Sequence, residues 1–469
     1  MLMKLSSPLA RRHWARVARY WVVVLGLSLG VAACTDSPNT EVDGSGNIRA
    51  VHAVNDLGQI GFLIEGIVLA EAQFQTITPY SNYDALQYDF NFDFNSGITS
   101  ETERLATTSL NVAADTNYTL VLAGTGTNPE LITIAQPPRA FSADDTILEV
   151  FFGNFARNAG TVDIYFGAEG FDPAATTSAA SGLALNGTTP LQDIEAGTYE
   201  FVATAPGDAT TVLIRSEAIE LLAIDSVMVN LFDAAEESNG DFVFIVGGDR
   251  VGARLVDQTA LATVAVINGF RTAGNIDIFI DDETVTPVIA DLPFAAISAS
   301  TPIPEGDNAT VFSLNVTAAG NVGAPLFDVD TSLADGSSNL LVLAQVIDST
   351  DFAFLLAAGT RRPLFDAGRL GLVNTSKNFE LLDLFLVESA NTFENANPRA
   401  QSIGRTQDIA QFTLAADTYQ LYLTNGSDDS LIIGPVDIVL ERGDVTQIVI
   451  TDAVDPNSLE ILTFDLNAL

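Results

Sequence analysis

From residue 48 to the C-terminus, short apolar or aromatic runs alternate with Gly, Asn, Asp and Thr at intervals of about a dozen residues, the rhythm of an all-β sandwich. The clearest run is residues 88–95, YDFNFDFN, which has a strict period of two. Phe90, Phe92 and Phe94 fall on one face of a strand, and Asp89, Asn91, Asp93 and Asn95 on the other. The phenylalanines are expected to be core. The polar face is expected to meet solvent, a neighbouring module or a cation. No window outside the N-terminal segment sustains a 3.6-residue period, so almost no helix is expected.

The runs repeat. Val51-His52-Ala53-Val54-Asn55, Val150-Phe151-Phe152-Gly153-Asn154, Val264-Ala265-Val266-Ile267-Asn268 and Leu370-Gly371-Leu372-Val373-Asn374 each close on an asparagine, at intervals of 99, 114 and 106 residues. In three copies an aspartate follows nine residues later inside a second apolar run: Asp163, Asp277 and Asp383. The first copy has Gly61 there. A further strand then follows: residues 196–202, 416–423, 307–314 and, in the first copy, the run around Phe92. The reading is four tandem antiparallel, immunoglobulin-like β-sandwich modules over 48–143, 144–258, 259–366 and 367–469, stacked with little hinge motion because no long Gly/Ser tether separates them.

These motifs resemble the domain of unknown function 4397 family, tandem β-sandwich modules of bacterial secreted and surface proteins. In that family an opening strand with a His-Ala turn precedes a Val-Asp-Val-Tyr strand and a Gly-Thr-Tyr strand. Val51-His52-Ala53-Val54-Asn55, Val162-Asp163-Ile164-Tyr165 and Ala196-Gly197-Thr198-Tyr199 stand at those places. The resemblance implies an architecture and a compartment. It implies no chemistry, because the family's activity is unassigned.

Residues 1–33 are read as a signal rather than core. Lys4, Arg11, Arg12, Arg16 and Arg19 precede an apolar run, residues 20–33, shorter than the ~20 residues of a comfortable membrane span. Gly30-Val31-Ala32-Ala33-Cys34 resembles the lipobox of bacterial lipoproteins, which implies that Cys34 is lipidated and becomes the N-terminus. Thr35 after it implies sorting to the outer membrane, on its periplasmic or extracellular face. Residues 34–47 are then a polar linker, disordered by composition. Lipidation of the chain's single cysteine leaves no disulfide.

The formal net charge is −40, and −45 once the five basic residues of the signal are gone. Such a chain repels nucleic acid and anionic lipid. A mean hydropathy of +0.27 nonetheless supplies ample core. Beyond the signal the only histidine is His52 and the only lysine is Lys377, which removes imidazole-based catalysis and clustered His or Cys metal sites. Carboxylate hydrolysis needs only two acids, but both tryptophans lie in the signal, and sugar clefts commonly stack on such rings.

No enzyme activity and no cofactor are expected. Calcium is the one ion that the residue types favour, with candidates at Asp281, Asp282, Asp428 and Asp429, though the EF-hand spacing is absent there and at residues 89–100. The polar positions singled out are Asn154, Asn268 and Asn374, the cations three residues after each (Arg157, Arg271, Lys377), and Asp163, Asp277 and Asp383, which those cations are placed to pair or to share with a ligand. Arg139, Arg254, Arg361, Arg362 and Arg369 gather near module junctions and are expected to pair with carboxylates of the adjoining module. The functional expectation is a lipid-anchored envelope array for display, spacing or adhesion, with an envelope protein or polysaccharide as partner. A calcium- or polysaccharide-binding module is the alternative, and a carboxylate hydrolase a third reading.

Overall fold

The computed structural model describes residues 44–94, 102–235, 240–269, 271–281, 286–303, 312–345, 352–356, 361–388, 391, 393–404, 411–455, 457–467 and 469. Cys34, the signal and Asp282 lie outside them. The described chain is all β, with three single-turn 3-10 segments as its only helical geometry.

The first module has eight strands: β1 (Ser45–His52), β2 (Ile60–Ile64), β3 (Ile67–Ala72), β4 (Ser81–Asp84), β5 (Gln87–Phe94), β6 (Glu103–Asn111), β7 (Asn117–Thr125) and β8 (Asn128–Gln136). They form two sheets, ordered β4-β1-β7-β8 and β3-β2-β5-β6. The same order recurs three more times. The second module adds Ile219–Leu221 to one sheet and Gly252–Leu255 to the other. β1 begins at Ser45, so the last residues of the stretch expected to be linker are already paired, Ser45 opposite Asp84.

The sheets are antiparallel with one exception per module. The opening strand pairs in parallel with the seventh: β1 with β7, Ile147–Asn154 with Ser226–Asp233, Thr263–Asn268 with Ser338–Gln345, and Ala367–Asn374 with Val445–Asp452. Parallel strands are characteristically buried on both faces and read as continuous apolar runs. The module openings are such runs for that reason. Ile48, Ala50, Leu120 and Leu122 face the core of the first sandwich, whereas Val51, Ala53, Val121 and Ala123 pack against Phe151, Met228, Phe232 and Ile245 of the second. Modules 3 and 4 pair through the same sheet, with Ala265, Ile267, Leu340 and Val342 against Val445, Val449, Leu462 and Phe464. The edge strands of both sheets keep ordinary alternation, as in β6 and β8.

The segment between modules 3 and 4 returns to module 1. Arg362 donates to the carbonyls of Asn55 and Leu57, with its guanidinium 5.1 Å from the Phe74 ring centroid. Phe365 N donates to Asp56 O, and its ring sits against Phe94 and over Gly126, where a Cβ would have no room.

β5 behaves as its alternation requires. Phe90, Phe92 and Phe94 are buried in the core of module 1, with Phe62 stacked 5.8 Å from Phe90 and tilted against Phe92 at 5.2 Å. The polar face is met by the next strand of the same sheet. Arg104 forks onto the two carboxylate oxygens of Asp93 at 2.9 and 3.2 Å, Thr107 donates to Asn91 at 2.5 Å, and Ser109 donates to Asp89.

Candidate functional site

Each opening strand ends on a residue that ties down the corner behind it. Asn154 Nδ2 donates to Gly160 O at 2.7 Å and Leu183 O at 3.0 Å, while its Oδ1 accepts from Ala156 N. Asn268 donates to Gly274 O and Leu292 O, and Asn374 to Phe379 O and Ile403 O. All three are fully buried. Their amides are consumed by backbone and hold no free group toward a ligand.

In module 1 the residue at this register position is His52, not Asn55. His52 lies opposite Leu122 as Asn154 lies opposite Leu231. Its Nδ1 accepts from Val54 N, two residues on, and its Nε2 lies 2.9 Å from Gly58 O, six residues on, the same offsets that Asn154 uses. The carbonyl partner assigns the proton to Nε2. Burial pushes His52 down to about 4, and Arg362 adds to the effect, so the ring is neutral. The first repeat interval is therefore 102 residues rather than 99.

The repeated aspartates also turn inward to backbone. Asp163 accepts from Gly182 N at 2.6 Å and Gly207 N at 2.8 Å; Asp277 accepts from Asp291 N and Gly320 N at 2.7 and 2.8 Å; Asp383 accepts from Ser402 N at 2.6 Å. Every one of these donors has positive φ, between 52° and 74°. Each carboxylate thus pins chain that would otherwise be strained or mobile.

The expected pairing of these aspartates with the three cations is not what forms. Arg157 and Lys377 contribute backbone N–H, to Asp233 at 3.0 Å and Asp452 at 2.9 Å, carboxylates on the seventh strands that spacing did not single out. Burial pushes Asp233 above the usual carboxylate range against the pull of its two backbone donors. Arg271 reaches into module 4, pairing with Glu460 while its guanidinium sits 4.4 Å from the centroid of Phe294.

Of the junction arginines, Arg139 does pair with acids, Asp193 and Glu149. Arg254 also meets Gln75, Arg361 meets Ser338, Arg362 meets two carbonyls and Arg369 meets Arg362 O, all of them neutral oxygens.

The described calcium candidates make contacts within the protein. Asp281 accepts from Ser313 N, Asp428 accepts from the amide and hydroxyl of Ser430, and Asp429 N donates to Asn425 O. Among the described residues no group of three or more His, Cys, Asp or Glu is placed to hold a metal.

Two of the concavities among the described residues take in module 1 together with another module. One, of about 560 Å³, lies where all four modules meet and is lined by Asn55, Asp233, Ser300, Arg361 and Asn467 among others. The other is an open groove of about 800 Å³ between modules 1 and 2, with Arg49, Phe74 and Tyr80 on one side and Asp249, Arg250 and Arg254 on the other. Arg49 was not singled out from sequence. A lone arginine in a strand carries no signal until its burial is known.

Residues 46–165 match the family described as Domain of unknown function (DUF4397), the family that the strand motifs resemble. The match begins in β1, spans module 1 and ends in the second strand of module 2, just past Asp163. None of the curated proteins compared matches the chain.

Proposed function

We propose that the chain is a non-enzymatic, lipid-anchored protein of the cell envelope. Four sandwich modules would be held from Cys34 as a stiff display, spacer or adhesion array at the outer membrane. The observation that carries this reading is the pairing of modules through the buried faces of their central strands, tied by Arg362 and Phe365 to module 1. Such packing supports a body that projects as one piece. The use of the buried carboxylates supports the non-enzymatic assignment: Asp163, Asp233, Asp277 and Asp383 accept backbone N–H groups, and Glu200 pairs with Arg215.

The test begins with Cys34→Ser. The protein should leave the membrane fraction, and protease added to intact cells should distinguish extracellular from periplasmic placement. A variant that stays membrane-bound, or a deletion strain with unchanged envelope attachment and no partner recovered from outer-membrane extracts, would remove the reading. Calcium belongs to the alternative reading, in which added calcium raises the melting temperature and chelator lowers it.

A further inference from the structure

Module 1 leaves bare a surface that modules 2 and 4 cover. In those two, the long connection after the second strand folds onto the outer face of its sheet. Phe171 lies 5.2 Å from the Arg215 guanidinium, and Phe393 stacks on Tyr422 with ring centroids 4.5 Å apart. In module 1 the connection is only Glu65-Gly66, and the outer face of β3-β2-β5-β6 is an open groove of about 640 Å³. Gly61 and Leu63 lie at its centre, with Val68, Glu71, Asp93 and Arg104 around them.

One wall of the groove is β3, the outermost strand of its sheet. It pairs with β2 alone, with one register shift and no residue at positive φ. Its counterparts Ala180–Leu183, Ile289–Leu292 and Ala400–Gly404 have four or five residues, and each is interrupted by a positive-φ residue, Gly182, Asp291 or Ser402. Such interruptions blunt a sheet edge, whereas an unbroken run presents a row of unpaired N–H and C=O groups. On β3, Ile67 is 67% and Val68 56% exposed. Free backbone groups beside apolar side chains are what an added strand uses.

Charge decides the chemistry of that strand. Register places Glu71, Gly61, Asp93 and Arg104 in one row across the sheet, and Arg104 is bonded to Asp93. Glu71 accepts from Gln59 and Glu65 from the amide of Asp89, both neutral donors. An added strand continues the row on the open side of Glu71, where an opposite charge is favoured and a like charge is not. A second copy of so acidic a chain is repelled there, since its net charge is −40. With no side chain at Gly61, a long basic side chain beside Glu71 can lean over the sheet towards Asp93.

We propose that β3 is a docking edge for an extended peptide of a partner protein, added as a strand with a lysine or arginine beside Glu71 and apolar residues beside Ile67 and Val68. The proposal deepens the adhesion part of the display reading and rests on it, yet the two fail separately: Cys34→Ser reports anchoring, and the titration reports docking.

The full chain in detergent is titrated, by fluorescence anisotropy, into a capped heptapeptide of alternating valine and threonine with a central lysine, carrying an uncharged dye. A twin with central glutamate should bind at least tenfold more weakly, and a lysine twin N-methylated at its interior amides should lose binding. Glu71→Lys, at an exposed position, should reverse the preference between the lysine and glutamate peptides. Asp437→Lys, on the exposed edge strand Leu431–Leu440 of module 4, should leave it unchanged. No binding of the lysine peptide, equal affinity for its glutamate or methylated twin, an unreversed preference in Glu71→Lys, or the same reversal in Asp437→Lys overturns the proposal.

Discussion

Module 1 and the three modules after it build the same two corners from different residues. Behind the opening strand, modules 2 to 4 use a buried asparagine and module 1 uses His52 with the same backbone offsets. At the second corner, modules 2 to 4 span β2–β3-equivalent strands with long connections and pin them by Asp163, Asp277 and Asp383. Module 1 has no such aspartate. Its β2 and β3 are joined by Glu65-Gly66, both at positive φ, as a tight type I′ hairpin demands. A two-residue turn fixes strand register locally, whereas a long loop needs a side chain from elsewhere to do so. The aspartate is thus linked to loop length, and Gly61 is what remains when the loop is short.

The comparison breaks most easily at the aspartates. Asp163→Ala should remove two charge-assisted hydrogen bonds to backbone N–H groups and cost about 3 kcal/mol in local stability, read as faster hydrogen exchange at Gly182 and Gly207. The same change at Asp277 should act at Asp291 and Gly320. Unchanged exchange would make the staple ornamental.

His52 is next. Its folded pKa is lowered from 6.5 to about 4, so between those values the unfolded state binds the extra proton and stability rises with pH. Acidification across that window should cost about 3 kcal/mol at module 1, by 1.36 kcal/mol per pH unit. His52→Asn would install the residue of the other modules, and should fold and lose this slope. An unaltered acid limb in that variant would mean that other groups govern it.

Asn230 offers a smaller effect of opposite sign. It faces Gly153 across the parallel pair, where the other modules have Val51–Val121, Ile267–Val342 and Val373–Val449. The amide is fully buried with neither atom partnered, and its oxygen occupies the space a Gly153 side chain would need. Asn230→Val should stabilise the module 1–2 pairing by about 1–2 kcal/mol, seen as a higher melting temperature. The smallest expected change is Arg104→Ala on the polar face of β5, which should leave the melting temperature almost unmoved because the guanidinium is half exposed and its pairing with Asp93 is screened by solvent.

Strands were legible wherever one face met water. The alternation of residues 88–95 named both the core face and the polar face of β5. The opening and seventh strands lack alternation because both faces are covered, and continuous runs such as Val264-Ala265-Val266-Ile267 do not say what covers the second face. The corner residue was misplaced in module 1 because residue type was followed. An imidazole and a primary amide can each accept from one N–H and donate to one C=O, and that equivalence appears only when register is known. The cations drew attention by their rarity, yet at Arg157 and Lys377 the group that holds the corner is the backbone N–H, which every non-proline residue has. The long-range carboxylates Asp233 and Asp452 and the half-satisfied Arg49 depend on contacts across tens of residues that no local pattern encodes.

The parallel pair also sets an order of events. Asn47 and Asn117 bond side chain to side chain across 70 residues, so the central sheet of module 1 cannot close until β7 has left the source of the chain. Closing so long a loop is slow. When it closes, it presents Val51, Ala53, Val121 and Ala123 uncovered until Phe151, Met228 and Phe232 arrive about a module later. The smallest piece of this chain that can hide its own apolar surface is therefore two modules. A chain emerging from its N-terminus passes twice through a half-built stage, once before each even-numbered module, in which it is most prone to aggregate and most in need of a chaperone.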